Sequence, residues 1–204
     1  MQRALMCSVA AAAGLAWATS AAADQPRLKG QYAYTGTHVC LTAPGTGPFT
    51  PGVARANAGF NANLTPVVGS AAFYFSLGSQ GIYILDGHGH GTVNGTSVST
   101  TTPPNASASL AAFTSSITYV VHADGSWGID VLPGSLLGTY LTGARTGQTF
   151  SQDRRPMTGM ISGDGKVLTL TTPDSVIEMQ TISTGEVDPR VCHRSDVLIR
   201  LDRD

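Results

Sequence analysis

The chain has 204 residues, with 12 basic and 13 acidic side chains and a formal net charge of −1. So weak a field gives no electrostatic footprint for nucleic acid or an anionic membrane surface. Charged residues make up only 12% of the chain and glycine is abundant at 24, which excludes a charged disordered tail or a helical bundle and points to a Gly-, Ser- and Thr-rich β domain.

Met1-Gln2-Arg3 carries one positive side chain, and Ala4 to Ala18 is mostly apolar but too short to span a bilayer. Thr19-Ser20-Ala21-Ala22-Ala23 supplies the small residues a signal peptidase reads, so residues 1–23 read as an export signal and 24–204 as a single domain. The expected location is periplasmic or secreted, and no later segment has the length and apolarity of a membrane-spanning helix. Cys7 would leave with the signal, so Cys40 and Cys192 remain. In an oxidising compartment, two cysteines with no C-x-x-C spacing predict one structural disulfide, here joining the first strand to the last.

From Gly30 to Thr42 the chain alternates, with Tyr32, Tyr34, His38 and Cys40 on one face, and predicts a first strand. Residues 43–70 break the pattern with prolines and glycines and read as a long loop, with a helical turn over 53–58. Asp86-Gly87, Asp124-Gly125 and Asp164-Gly165 then recur at nearly even intervals, each between two strand-like runs, as tight hairpins require. The first joins 72–85, read as one strand or as two broken between Gly78 and Gly81, to 91–99. The second joins 113–122 to 126–132, and the third joins 157–162 to 167–172. Between the second and third lie 136–142 and 148–152. After them come 175–183 and a closing strand that ends near Leu201, while Pro103-Pro104-Asn105 marks a further loop. The sum is roughly nine or ten strands and no amphipathic helix. An antiparallel meander of that kind removes its edges by closing, so the expected fold is all-β, a barrel of roughly 8–10 strands, with a two-sheet β-sandwich as the alternative.

This hairpin rhythm, Asp86-Gly87, Asp124-Gly125-Ser126-Trp127 and Asp164-Gly165-Lys166, together with the export signal and the Cys192-His193-Arg194 strand, resembles the small exported calycin-like barrels of bacteria. These stand in the broad company of lipocalins and of the allene oxide cyclase and dirigent barrels. The resemblance spans most of 24–204. It implies a barrel that holds a small apolar ligand, and it transfers no catalytic residue.

Asp86-Gly87-His88-Gly89-His90-Gly91 is the most distinctive local sequence. Histidines two apart on an extended chain point the same way, so His88 and His90 are candidate ligands for zinc or copper, with Asp86 as an oxygen donor. A hairpin tip needs those glycines in any case and tolerates exposed histidines. His38, His122 and His193 are scattered and expected to be structural, although a Cys40–Cys192 bond would bring His38 and His193 near one another.

No Gly-x-Ser-x-Gly elbow occurs, and the many serines and threonines read as solvent-facing strand positions. Asp130, Asp153, Glu178 and Glu186 have no spacing that pairs them. Glu178 shares a face with Val176, Gln180 and Ile182; turned inward it would be an acid or base with a raised pKa, but the expectation is a solvated side chain. Arg145, Arg154, Arg155, Arg190, Arg194 and Arg200 are expected to be ordinary surface charges, the alternative being a receptor for an anion such as a fatty acid carboxylate at a barrel mouth. Tyr32, Tyr34, Phe73, Phe75, Tyr119 and Trp127 fall at inward-compatible alternating positions and are the candidate ligand-binding residues, since core and pocket lining are one surface in a barrel.

The leading functional expectation is a non-enzymatic exported barrel that binds a small apolar ligand, with no cofactor and no catalytic residue. An isomerase or cyclase of the allene oxide cyclase or dirigent type is the alternative, and a periplasmic metal binder the third. A pocket lined only by apolar groups favours the first, an inward carboxylate or tyrosine pair the second, and histidines converging with Asp86 the third.

Overall fold

The structure, a computed structural model, describes residues 28–44, 59–102 and 106–201. The export signal expected over 1–23 and the helical turn expected over 53–58 lie outside the described residues. The described residues form no helix and eleven strands: β1 (Lys29–Thr42), β2 (Phe73–Asp86), β3 (His90–Thr101), β4 (Ala108–Val121), β5 (Ser126–Val131), β6 (Leu137–Tyr140), β7 (Thr149–Gln152), β8 (Met157–Met160), β9 (Val167–Thr171), β10 (Ile177–Ile182) and β11 (Val187–Arg200). Gly78 and Gly81 lie in register within an unbroken β2, opposite Val98 and Gly95 of β3.

All eleven belong to one antiparallel sheet, in which β1, β2, β3, β4, β5, β8, β9 and β11 follow one another and β11 returns to β1. The result is a barrel-like ring of eight strands. Two long strands serve two partners each. Ala111–Thr114 of β4 pairs with β6 and Ile117–Val121 with β5. Likewise, Val187–Val191 of β11 pairs with β10 and Ser195–Ile199 with β9. Consecutive short strands therefore act as interrupted long ones: β5 and β6 break at 132–136, β7 and β8 at 153–156, and β9 and β10 at 172–176. Five continuous strands, β1 to β4 and β11, face this interrupted wall.

The two ends of the ring differ. Gly87, Gly125 and Gly165 all hold positive φ, at 84°, 81° and 68°, as the Asp-Gly reading requires. In each turn the aspartate Oδ1 accepts a backbone N–H two residues on, from His88, Ser126 and Lys166. These turns share an end with Lys29 and Arg200, whereas the end of β1, the start of β2, the end of β3, the start of β4 and the 141–148 and 183–186 connections lie at the other.

Next to the tight turns the interior is filled. Leu28, Tyr32, Tyr34, Tyr83, Leu85, Val93, Ile117, Tyr119, Trp127, Ile129, Met157, Leu168, Leu170 and Leu198 form one buried apolar cluster. Tyr119 Oη donates to the Leu28 carbonyl at 2.6 Å and Trp127 Nε1 to the Thr169 carbonyl at 2.9 Å, while the Tyr34 and Tyr83 hydroxyls are buried without a hydrogen-bond partner among the described residues.

Cys40 stands directly opposite Cys192 in the β1–β11 ladder and is bonded to it, with the Cα atoms 4.1 Å apart. The bond closes the seam of the ring and joins residues 152 apart in sequence. Closing a loop of that size stabilises a fold by about 5 kcal/mol in the chain-entropy model. A buried disulfide is compatible with an oxidising compartment.

Candidate functional site

Beyond the packed half, the ring holds a cup of about 420 Å³ at the end away from the Asp-Gly turns. Its cause is side-chain size. Inward positions near the tight turns carry Val93, Ile117, Tyr119 and Ile129, whereas the inward positions of β3 and β4 at the other end carry Ser97, Ser99, Ser109 and Ala111. Val98, between two of these serines, points out and is 55% exposed. The serines expected to face solvent face the cup instead, and Ser99 Oγ and Ser109 Oγ bond across β3 and β4 at 2.8 Å. One side of the cup is apolar, with Phe73, Phe75 and Leu77 of β2, Phe113 of β4, Leu136 and Phe150 of β7.

The rest of the wall and the floor are polar. Arg190 and Arg194 of β11 alternate inward with Cys192, and Glu178 and Gln180 of β10, Gln152 of β7 and Arg154 lie beside them. Glu178 is 2% exposed, which corrects the expectation of a solvated side chain. The physical reason is β10's place between β7 and β11, which turns Glu178, Gln180 and Ile182 into the ring. Arg194 grips it through both terminal nitrogens, Gln152 Nε2 donates to it at 3.0 Å and the Arg155 backbone N–H at 3.0 Å. Burial alone would push the Glu178 carboxyl up, but Arg194 and these donors hold it below the usual carboxylate range. Glu178 is therefore an ionised structural anchor and lacks the raised pKa of an acid catalyst.

Asp196, 1% exposed, sits across from Gly36, where an added Cβ would lie 1.8 Å from its Oδ1. Only the missing side chain of Gly36 admits this carboxylate to the floor. His38 Nε2 lies 3.0 Å from Asp196 Oδ1, and Arg154 Nη2 donates to Oδ2 at 3.3 Å. Burial would raise Asp196, yet His38 and Arg154 hold it low; burial pushes His38 down in spite of Asp196, so its imidazole is neutral near pH 7. Ser79 Oγ also lies 3.3 Å from His38, again at Nε2. Ser79, His38 and Asp196 are the residue types of a nucleophilic triad, but both partners meet the same ring nitrogen. The imidazole in this arrangement cannot pass a proton from hydroxyl to carboxylate through its two nitrogens.

Arg145 stands at the mouth between Glu186, at 2.9 Å, and Asp188, at 3.1 Å. Arg190 is 6% exposed, donates from Nη1 to Gln180 Oε1 at 3.2 Å, and lies 5.9 Å from the centre of the Phe75 ring. Burial lowers its pKa to about 10, against the opposing pull of Glu178. Arg155 and Arg200 are exposed as expected, but Arg154, Arg190 and Arg194 have buried side chains and Arg145 is only partly open. They face inward because the interior period of β11 takes its even-numbered residues and the 153–156 interruption directs Arg154 to the floor.

Of the residues singled out from sequence, Phe73 and Phe75 line the cup. Tyr32, Tyr34, Tyr119 and Trp127 lie together in the packed half. His88 and His90 are exposed on the β2–β3 turn, where Asp86 Oδ1 accepts both of their backbone N–H groups, at 2.7 and 3.0 Å. Among the described residues no group of three or more His, Cys, Asp or Glu is placed to hold a metal. His38 and His193 fall on adjacent strands, as the disulfide implied, but on opposite faces, His38 inward and His193 outward. Sequence reading missed Ser97, Ser99, Ser109 and Ala111, and its expectation of surface charges is corrected for Arg154, Arg190 and Arg194. The available signal was the out-of-phase Val98, which marks Ser97 and Ser99 as the inward pair.

No protein-family model matches the chain, and no curated protein matches it.

Proposed function

We propose that this is an exported protein that binds a small, mostly apolar molecule in the open half of its ring. The observation that carries the reading is the cup of about 420 Å³, within the ordinary range for small-molecule sites, with phenylalanines on one side and a few fixed polar groups on the rest of the wall. The disulfide and the packed half give it a rigid wall, so little ordering entropy is lost on binding. The location proposed is periplasmic or secreted, supported by the disulfide and by the reading of residues 1–23 as an export signal. Titration with N-phenyl-1-naphthylamine, a neutral probe that fluoresces in apolar surroundings, tests it. One probe should bind per chain, and Ala111→Phe, which narrows the cup, should weaken binding at least severalfold without loss of the fold. Equal binding by both proteins would place the probe elsewhere and refute the reading.

The inward carboxylates Glu178 and Asp196 are the observation that favours the isomerase or cyclase alternative. Each is held ionised by a buried cation or histidine, which supports positioning and charge balance over proton transfer. The binding reading is therefore preferred.

A further inference from the structure

We infer that Arg190 is the head-group residue of the cup and that the bound molecule is an apolar monocarboxylate. The inference rests on the binding role proposed above and deepens it. Four guanidinium groups and four carboxylates line or underlie the cup, but they are not matched one to one. Arg194 holds Glu178, Arg154 holds Asp196, and both Glu186 and Asp188 converge on Arg145. Arg190 is left with no ion pair among the described residues. Its one hydrogen bond there is to the neutral Gln180, and its Nε–H is buried without an acceptor.

A buried guanidinium without an anion is unfavourable, because its lost hydration is not replaced. Asp188, two residues before Arg190 on the same interior face, is turned to Arg145 through Oδ2 and leaves its own Oδ1 without a donor. The missing partner of Arg190 is thus one that the described residues do not supply. A carboxylate matches the guanidinium fork in charge and geometry. With Asp188 and Glu178 close by, a monoanion fits this wall better than a doubly charged phosphate.

The rest of the molecule would lie on Phe73, Phe75, Phe113 and Leu136. A cup of about 420 Å³ that is open at its mouth takes a molecule of decanoate's size.

The test is competition of decanoate and decanol against N-phenyl-1-naphthylamine on the full, oxidised chain. The two competitors share an apolar body and differ in charge. Decanoate should displace the probe at a concentration about tenfold or more below that of decanol, the range of a charge-assisted hydrogen bond. Arg190→Gln should remove that gap. Equal potency of the two competitors on the wild-type chain would overturn the inference while leaving the binding role intact, and needs no variant to fold. Absence of probe binding by the wild-type chain would overturn the binding role first, and this inference with it.

Discussion

Glu178→Gln isolates the buried charge network with almost no change of volume. The wild-type carboxylate is 2% exposed and accepts from both terminal nitrogens of Arg194, from Gln152 Nε2 and from the Arg155 N–H. A glutamine keeps one acceptor oxygen but places an NH₂ among donors and leaves Arg194, 3% exposed, buried without its counter-ion. Breaking a buried pair in this way costs about 3–5 kcal/mol, a large part of the roughly 5–15 kcal/mol that stabilises an ordinary domain. Trp127 is the one tryptophan in residues 24–204 and is 1% exposed, so its fluorescence reports unfolding in urea. The midpoint should fall with little change in slope. Replacing both partners, Glu178→Leu with Arg194→Met, should recover part of the loss, because the uncompensated charge goes with its partner. A loss for Glu178→Gln below about 1 kcal/mol, the range of exposed pairs, would refute the buried network and return Glu178 to the solvent.

The remaining predictions concern the seam and the floor. Cys40→Ser and Cys192→Ser should each lower stability by about 2–5 kcal/mol and by similar amounts, measured by thermal melts; negligible shifts for both would refute the closure by disulfide. His38 has a folded pKa below its ordinary value, so its contribution is present above that ordinary value, about 6.5, and is lost as pH falls through it. Glu178 and Asp196 are also depressed, so theirs is present above about pH 5 and lost as pH falls through about 4. Urea midpoints against pH should therefore decline in two stages, and His38→Gln should remove the upper stage alone. An unchanged upper stage in that variant would show that another group titrates there.

The fold was legible because its signals are local. Asp-Gly turns need positive φ wherever they occur, and period-2 alternation in β1 and β11 sets both the inward face and the opposition of Cys40 to Cys192. The site was less legible because its signal runs against the usual pattern. Around Val98, the apolar residue points out and the serines point in, so hydrophobicity alone assigns the faces backwards and only the phase carried on from Val93 restores them. The arginines and Glu178 were read as surface charges because sequence shows no partner for them; Arg194 and Glu178 meet only when β10 folds beside β11, sixteen residues apart in the chain. Tyr32, Tyr34, Tyr119 and Trp127 have the right face for a pocket, but which half of a ring is filled depends on the side chains opposite them, and those are contributed by distant strands.

The most direct test of the central claim, a ring that is half filled and half open to a small molecule, is the native mass of the oxidised protein purified under native conditions. Spectra would be recorded before and after denaturation and with N-phenyl-1-naphthylamine added in excess. The account predicts an organic mass released on denaturation, or one bound probe per chain once the probe is added. A chain that stays at its bare mass with the probe in excess would contradict it, and the cup would then be closed by the protein's own side chains.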